Sequence, residues 1–143
     1  MQASNEKDIS KLNEFLQNEL AAVETYAQCI EKSSDVPTVQ RLIELRQSHA
    51  HRAGLLKDRI ITLGGRPVDS AGMWGGFAKM VEGGAKAFGE KAALSLLEEG
   101  EDKGLREYKQ EVHDLSEPTR RFLSTSIIPE QQRSHDTLSM MTR

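Results

Sequence analysis

The chain has 143 residues and a formal net charge of −3, with 37% hydrophobic and 29% charged residues. This balance is typical of one folded domain with its own core, not of a disordered chain. The basic residues are scattered among acidic ones, so no phosphate-binding stripe forms and nucleic acid is not expected as a partner. No apolar run approaches the length of a membrane span and the N-terminal residues are polar, which favours a cytoplasmic protein.

The first predicted helix covers residues 5–32. The residues expected to face the core form a line along the helix, here called its seam. They are spaced alternately three and four residues apart, the pattern of a helix packed in a bundle. Glu19 is the charged residue of this seam, and Cys29, the single cysteine, is expected to be a small buried residue beside it. The seam residues are Ile9, Leu12, Leu16, Glu19, Val23, Tyr26 and Ile30.

The second predicted helix covers residues 36–63. Ser34 or Asp35 can cap its N-terminus, Pro37 is tolerated in the first turn, and the "GGRP" segment is a strong stop signal. The predicted seam turns Arg46 and His49 inward, so a positive charge and an imidazole face the core. The seam residues are Val39, Leu42, Arg46, His49, Ala53, Leu56, Ile60 and Leu63.

The third predicted helix covers residues 88–115, and its seam carries Glu98 and Glu101 between apolar residues. Those apolar residues are Leu94, Leu105, Tyr108, Val112 and Leu115.

The last predicted helix covers residues 117–141, with Ser116 as its cap. Pro129 lies inside it and predicts a kink over residues 125–129, because proline lacks the N–H that a helix interior needs. Gln132 and His135 share one face of this helix.

The 64–87 segment is too long for a simple turn and predicts a crossover along the length of the bundle. The sequence therefore predicts an all-α fold, an antiparallel four-helix bundle with one long crossover. Trp74, Phe77, Ala78 and Val81 are spaced as one face of a short extra helix. That helix is expected to cover one side of the bundle; the alternatives are a homodimer contact through residues 72–89 and, least favoured, a membrane surface.

Polar residues interrupt the seams of all four helices at similar depths. Burying charge without a partner is costly, so these side chains are expected to meet in one mid-bundle layer. The predicted members are Glu19, Arg46, His49, Glu98, Glu101, Gln132 and His135.

Several short segments resemble the ferritin-like superfamily, and bacterioferritin locally. The segments are "NELAAVETY" with Glu19 and Tyr26, "RQSHAHR", "LLEEGEDKGLRE" with Glu98, and "QRSHDTL". Over the whole chain, the layout with "LGGRP", a tryptophan-bearing crossover and a late "SHDTL" is similar to a bacterial ferritin-like family of unknown function. The resemblance implies a ferritin-like bundle with a di-iron site that is altered here.

The resemblance maps the six ligand positions of a di-iron member to Glu19, Arg46, His49, Glu98, Gln132 and His135. Arg46 and Gln132 then stand where two glutamates would bind metal. The remaining carboxylates do not balance two divalent ions, and a guanidinium repels them, so a normal di-iron centre is not expected. Arg46 is expected to pair with Glu19 or Glu98 instead, because its planar fork suits a carboxylate.

Two function classes follow. The favoured one is a non-catalytic bundle with a degenerate metal site and a binding, assembly or stress-related role, without a cofactor. The alternative is a metalloprotein that holds one Fe, Zn or Mn ion on Glu19, His49, Glu98 or Glu101, and His135, near Tyr26. An ion of this kind could serve redox chemistry such as oxidation of ferrous iron.

Overall fold

The computed structural model describes residues 2–71 and 89–143. Over these residues the chain is helical, with no strand, which confirms the predicted all-α class. The predicted crossover helix around Trp74, and all of the predicted 72–89 contact surface except Gly89, lie outside the described residues.

The helices begin and end as follows. Helix α1 spans Gln2–Lys32, α2 spans Val36–Thr62, and α3 spans Glu90–Glu111 and continues into a 3₁₀ turn, Val112–Asp114. The last helical segment consists of α4, Glu117–Phe122, a π turn, Leu123–Ile127, and α5, Ile128–Met141.

Local sequence explains the ends of α2. Asp35 caps its N-terminus, accepting a hydrogen bond of 3.1 Å from the backbone N–H of Thr38. At the other end Gly64 has a φ of +87°, which a residue with a Cβ rarely adopts. Gly65 follows. A Cβ at this position would lie 2.6 Å from Cγ2 of Ile9, so the backbone packs closely against α1 where the chain leaves α2.

The start of the last helix is held by a side chain of another helix. Ser116 occupies the predicted N-cap position but makes no side-chain cap. Asp8 of α1 supplies the acceptors instead: its Oδ1 accepts from the backbone N–H of Ser116 at 3.1 Å, and its Oδ2 accepts from the hydroxyls of Ser116 and Thr119. This buried carboxylate therefore ties the start of α1 to the start of α4.

The four long helical segments enclose one core. Helix α1 packs on α2 and α3, and α5 packs on the same two helices. Residues later in α1 contact residues earlier in α3: Lys11 bonds to Glu111, and Tyr26 bonds to Glu101.

The apolar core is divided into two clusters. One includes Leu16, Ala53 and Ile127, and the other includes Ala21, Leu45 and Leu138. In the sequence, the polar positions that face the core lie between these two sets on each helix. The division therefore marks a polar layer in the middle of the bundle.

Candidate polar core

Eight polar side chains, each no more than 3% exposed, form the layer between the two apolar clusters. We refer to this set as the polar core. Helices α1, α2, α3 and α5 all contribute to it. Its members are Glu19, Tyr26, His49, Arg52, Glu101, Tyr108, Gln131 and Ser134.

His49 lies between two carboxylates. Its Nδ1 is 2.5 Å from Oε1 of Glu19, and its Nε2 is 2.6 Å from Oε1 of Glu101. An ionised carboxylate has no proton to donate, so each ring nitrogen must carry the hydrogen of its bond. The imidazole is therefore held as the imidazolium, with both nitrogens committed.

Opposing effects set the pKa values of these three groups. Burial lowers the pKa of His49, but the carboxylates of Glu101 and Glu19 outweigh it, and the pKa lies above its ordinary value. Burial raises the pKa of Glu19 and of Glu101, but the positive charges of His49 and Arg52 outweigh it, and both pKa values lie below the ordinary range. The directions agree with an ionised carboxylate on each side of a protonated histidine.

Arg52 is the second cation of the polar core and has no solvent exposure. Its Nη1 donates to Oε1 of Gln131 and lies 3.7 Å from Oε2 of Glu19. Its Nη2 donates to Oγ of Ser134 at 3.1 Å, and its Nε donates to the carbonyl of Ser48 at 3.3 Å. The planar fork of the guanidinium is thus fixed in several directions at once.

Gln131 and Ser134 connect Arg52 to Glu101. The Nε2 of Gln131 donates to Oε2 of Glu101 at 3.0 Å, while its carbonyl oxygen accepts from Arg52. Ser134 accepts from Arg52 and donates to the same Oε2 at 2.8 Å. Each side chain acts as donor and acceptor together, a role that a carboxylate cannot fill.

Two tyrosines each donate a hydrogen bond to one of the two carboxylates. Tyr26 donates to Oε1 of Glu101 at 2.7 Å, and Tyr108 donates to Oε2 of Glu19 at 2.5 Å. Burial and the neighbouring carboxylate raise the pKa of each phenol well above its ordinary value, so both remain neutral donors.

The charges of the polar core balance. Two carboxylates face one guanidinium and one imidazolium, and every one of these groups is hydrogen-bonded. In the part of the chain that the structure describes, no group of three or more His, Cys, Asp or Glu side chains is arranged to hold a metal ion. The residues present therefore do not fit the two divalent ions of a di-iron centre, which need more negative charge and free ligand atoms.

A narrow gap leads towards the polar core. This gap between α1 and α3 reaches Glu19 and His49 beside Gly100 and Gly104, and it holds no more than about one water molecule. The gap is too small for an organic substrate.

The structure places Glu19, Tyr26, His49 and Glu101 in the polar core. The sequence predicted Glu19, His49 and Glu101 as members of this layer and Tyr26 as a neighbour. Arg46 was predicted to join them, and this is wrong. Its side chain is exposed, and its Nε donates at 3.4 Å to the carbonyl of Val23. The buried face of α2 runs through Leu45, His49 and Arg52, so Arg46 is one residue off that face.

The predicted place of Glu98 is also wrong. It is half-buried and accepts a hydrogen bond from the hydroxyl of Thr142 at 2.9 Å, near the end of the bundle. Leu97 and Glu101 take the buried positions of α3, and Glu98 follows Leu97 by one residue.

Gln132 and His135 are likewise absent from the polar core. Gln132 contacts Lys109 and Asp136, and His135 lies between Asp102 and Asp136. The buried face of the last helix runs through Ile127, Gln131, Ser134 and Leu138. Gln132 and His135 each follow an inward residue by one position, about 100° around the helix.

Sequence reasoning missed Arg52, Gln131 and Ser134, and it treated Tyr108 only as a seam residue. One signal was available for Arg52: steps of four, three and four from Leu45 through His49 and Arg52 to Leu56 give a regular seam. The inward positions of Gln131 and Ser134 depend on the π turn. Pro129 indicated an irregularity there, but not which residues would face the core.

A family comparison covers most of this site. Residues 7–114, more than half of the chain, match the family model described as Domain of unknown function (DUF2383). The chain belongs to that family. The DUF2383 match contains the polar-core residues of α1, α2 and α3, whereas Gln131 and Ser134 lie beyond it. No curated protein and no solved structure shows significant similarity to the chain.

Among the residues that the structure describes, no helix has the length and apolar character that a membrane crossing requires.

Proposed function

We propose that this DUF2383 protein is a ferritin-like four-helix bundle with a degenerate metal site, in which ion pairs take the place of metal. In this proposal the protein acts by binding or assembly, in a stress-related or similar role, and not by catalysis. The sequence predicted Arg46 and Gln132 as the replacements of two ligand glutamates, and neither lies in the polar core. The proposal is therefore supported by the ion pairs that His49 and Arg52 form with Glu19 and Glu101.

The observation that carries the proposal is the double contact of His49. A metal-binding histidine needs one ring nitrogen with a free lone pair. Here both nitrogens donate to carboxylates, at 2.5 and 2.6 Å, and the same two carboxylates are the remaining ligand-type side chains. Metal entry would have to break both bonds and displace the buried charge of Arg52.

Closure of the network also argues against catalysis at this position. General acid–base chemistry needs a group that can reach the substrate. The titratable groups of the polar core are bonded to one another, and the gap beside Gly100 admits about one water molecule.

The alternative function is a single-ion site on Glu19, His49 and Glu101. One observation favours it: Glu19 and Glu101 are both within hydrogen-bond distance of the buried His49, one at each ring nitrogen, so three side chains of ligand type are neighbours. This site would lack the predicted contributions of Glu98 and His135, which lie elsewhere. The balance of charge makes it the weaker candidate.

A metal-binding experiment with a matched control decides between them. The wild-type protein and a His49→Phe variant are dialysed separately against Fe²⁺, Zn²⁺ and Mn²⁺, and bound metal per chain is measured. The proposal expects equal metal content, since any ion bound by both proteins lies outside the polar core. One additional ion in the wild type would establish the alternative.

Catalysis is tested on the same pair of proteins. Ferrous iron oxidation and peroxide consumption are followed at matched concentrations. We expect the wild type to show no rate above that of the His49→Phe variant. A rate that depends on His49 would contradict the non-catalytic proposal.

A further inference from the structure

The last helical segment contains one turn of unusual geometry. The backbone N–H of Ile128 bonds to the carbonyl of Leu123, five residues earlier, where an α-helix bonds four residues back. The Leu123–Ile127 turn therefore accommodates one residue more than an α-helix would. The helix continues on both sides of it, as α4 and α5.

The extra residue changes which side chains face the core. Thr119, Phe122 and Leu123 define the buried side of the segment before the π turn. A regular α-helix at 3.6 residues per turn would continue that side through Ser126, Glu130 and Arg133. The structure buries the next residue each time, namely Ile127, Gln131 and Ser134.

The shift is required by the chemistry of the polar core. With a regular helix, Glu130 would approach Glu101, and two carboxylates would meet in a buried place. Gln131 instead donates to Glu101 and accepts from Arg52. Glu130 stays at the edge, paired with Arg133 and 3.4 Å from the hydroxyl of Ser48.

Pro129 lies two residues after the end of the π turn and makes this geometry accessible. Proline has no backbone N–H, and in an α-helix its ring would collide with the carbonyl of Thr125, four residues earlier. A widened turn before Pro129 avoids the collision.

We infer that the π turn Leu123–Ile127 is a one-residue register shift that positions Gln131 and Ser134 to join Glu101 to Arg52. Gln131 is then a positioning residue, since it holds the carboxylate and the guanidinium that surround His49. This inference deepens the proposed function, because it rests on the polar core being a closed network.

Deletions in the exposed part of the turn test the inference. All variants carry Pro129→Ala, so that the proline ring does not obstruct an α-helical turn. Removing Ser124 takes out the extra residue, so the turn becomes α-helical and everything after it keeps its orientation. Removing both Ser124 and Thr125 shifts the following helix by one residue and brings Gln132 and His135 to the inward positions. Ser124→Ala is the control of unchanged length.

The measurement is the pair of ring N–H signals of His49 by ¹⁵N-edited NMR. We expect the Ser124 deletion and Ser124→Ala to retain both signals, and the double deletion to lose them through rearrangement or unfolding. Loss of the signals or of the fold in the single deletion would overturn the inference, as would their survival in the double deletion. Metal content of the wild type tests the proposed function separately, so the two failures are distinguishable.

Discussion

The Nη1 atom of Arg52 lies 3.7 Å from Oε2 of Glu19, and both side chains are withdrawn from solvent. Helices α1 and α2 are therefore joined by a buried pair of opposite charges. Such a pair stabilises little against an apolar replacement of both partners, but loss of one partner leaves an uncompensated charge. The stability of the bundle should respond strongly to single changes here.

Replacing Arg52 gives the first prediction. Arg52→Met should lower the free energy of unfolding by about 3–5 kcal/mol, because Glu19 and Glu101 lose a buried cation. Arg46→Met is the matched control on the same helix, and its exposed position predicts a change within about 0.5 kcal/mol. Urea denaturation of both variants measures the difference. Similar effects of the two substitutions would contradict the assignment of Arg52 to the core.

The second prediction concerns pH. His49 has a folded pKa above its ordinary 6.5, so its contribution is fully present below pH 6.5 and is lost as the pH rises through the folded value. Glu19 and Glu101 have folded pKa values below the ordinary 4.5, so their contributions are present above pH 4.5 and are lost as the pH falls through those values. The free energy of unfolding should therefore be greatest between pH 4.5 and pH 6.5.

A pair of histidine variants tests the alkaline side. The decline in unfolding free energy above pH 6.5 should be reduced in His49→Gln, which has no proton to lose. His51→Gln should retain the decline, since His51 is exposed on the outer side of α2. Unfolding titrations at a series of pH values provide the measurement, and an unchanged alkaline decline in His49→Gln would show that His49 does not cause it.

Gln131 and its neighbour give the third prediction. Gln131→Leu removes a donor to Glu101 and an acceptor for Arg52, and should destabilise the fold by about 1–3 kcal/mol. Gln132→Leu breaks only exposed contacts with Lys109 and Asp136 and should change stability by less than about 0.5 kcal/mol. Thermal unfolding ranks the two. The reverse order would support the register in which Gln132 faces inward.

Asp8 gives the fourth prediction. Asp8→Ala should lower the free energy of unfolding by about 1–3 kcal/mol, since it leaves the backbone N–H of Ser116 and the hydroxyls of Ser116 and Thr119 without their acceptor. A double-mutant cycle with Thr119→Val measures the coupling across the two helices. Strictly additive effects would mean that Asp8 does not act through this contact.

Cys29 gives the fifth prediction. The thiol is buried among apolar side chains, and burial raises its pKa to about 12. The thiolate is the reactive form, so a thiol reagent at neutral pH should label the native protein slowly and the unfolded protein at once. Rapid labelling under native conditions would contradict the buried position.

The sequence predicted the helical class and the existence of a polar layer, because seam periodicity and depth are properties of the pattern itself. The predicted inward residues were wrong where the next core-facing position could lie either three or four residues further along the helix. Leu45 precedes Arg46 and Leu97 precedes Glu98, and in each pair the leucine takes the buried position, since its burial needs no partner.

The prediction of the inward residues of the last helix was wrong for a different reason. The 3.6-residue period assumes a uniform helix, and the π turn before Pro129 breaks that assumption. Pro129 predicted an irregularity at this place, but its effect on the facing of Gln131 and Gln132 depends on which residues the packing buries. That choice is made by the tertiary structure.

We propose that His49 is an imidazolium held by Glu19 and Glu101 and that it binds no metal. The most direct measurement is ¹⁵N NMR of its ring nitrogens near neutral pH, with and without saturating Zn²⁺. We expect both nitrogens to carry protons and Zn²⁺ to leave both signals unchanged. A ring nitrogen that loses its proton and shifts on addition of Zn²⁺ would contradict it.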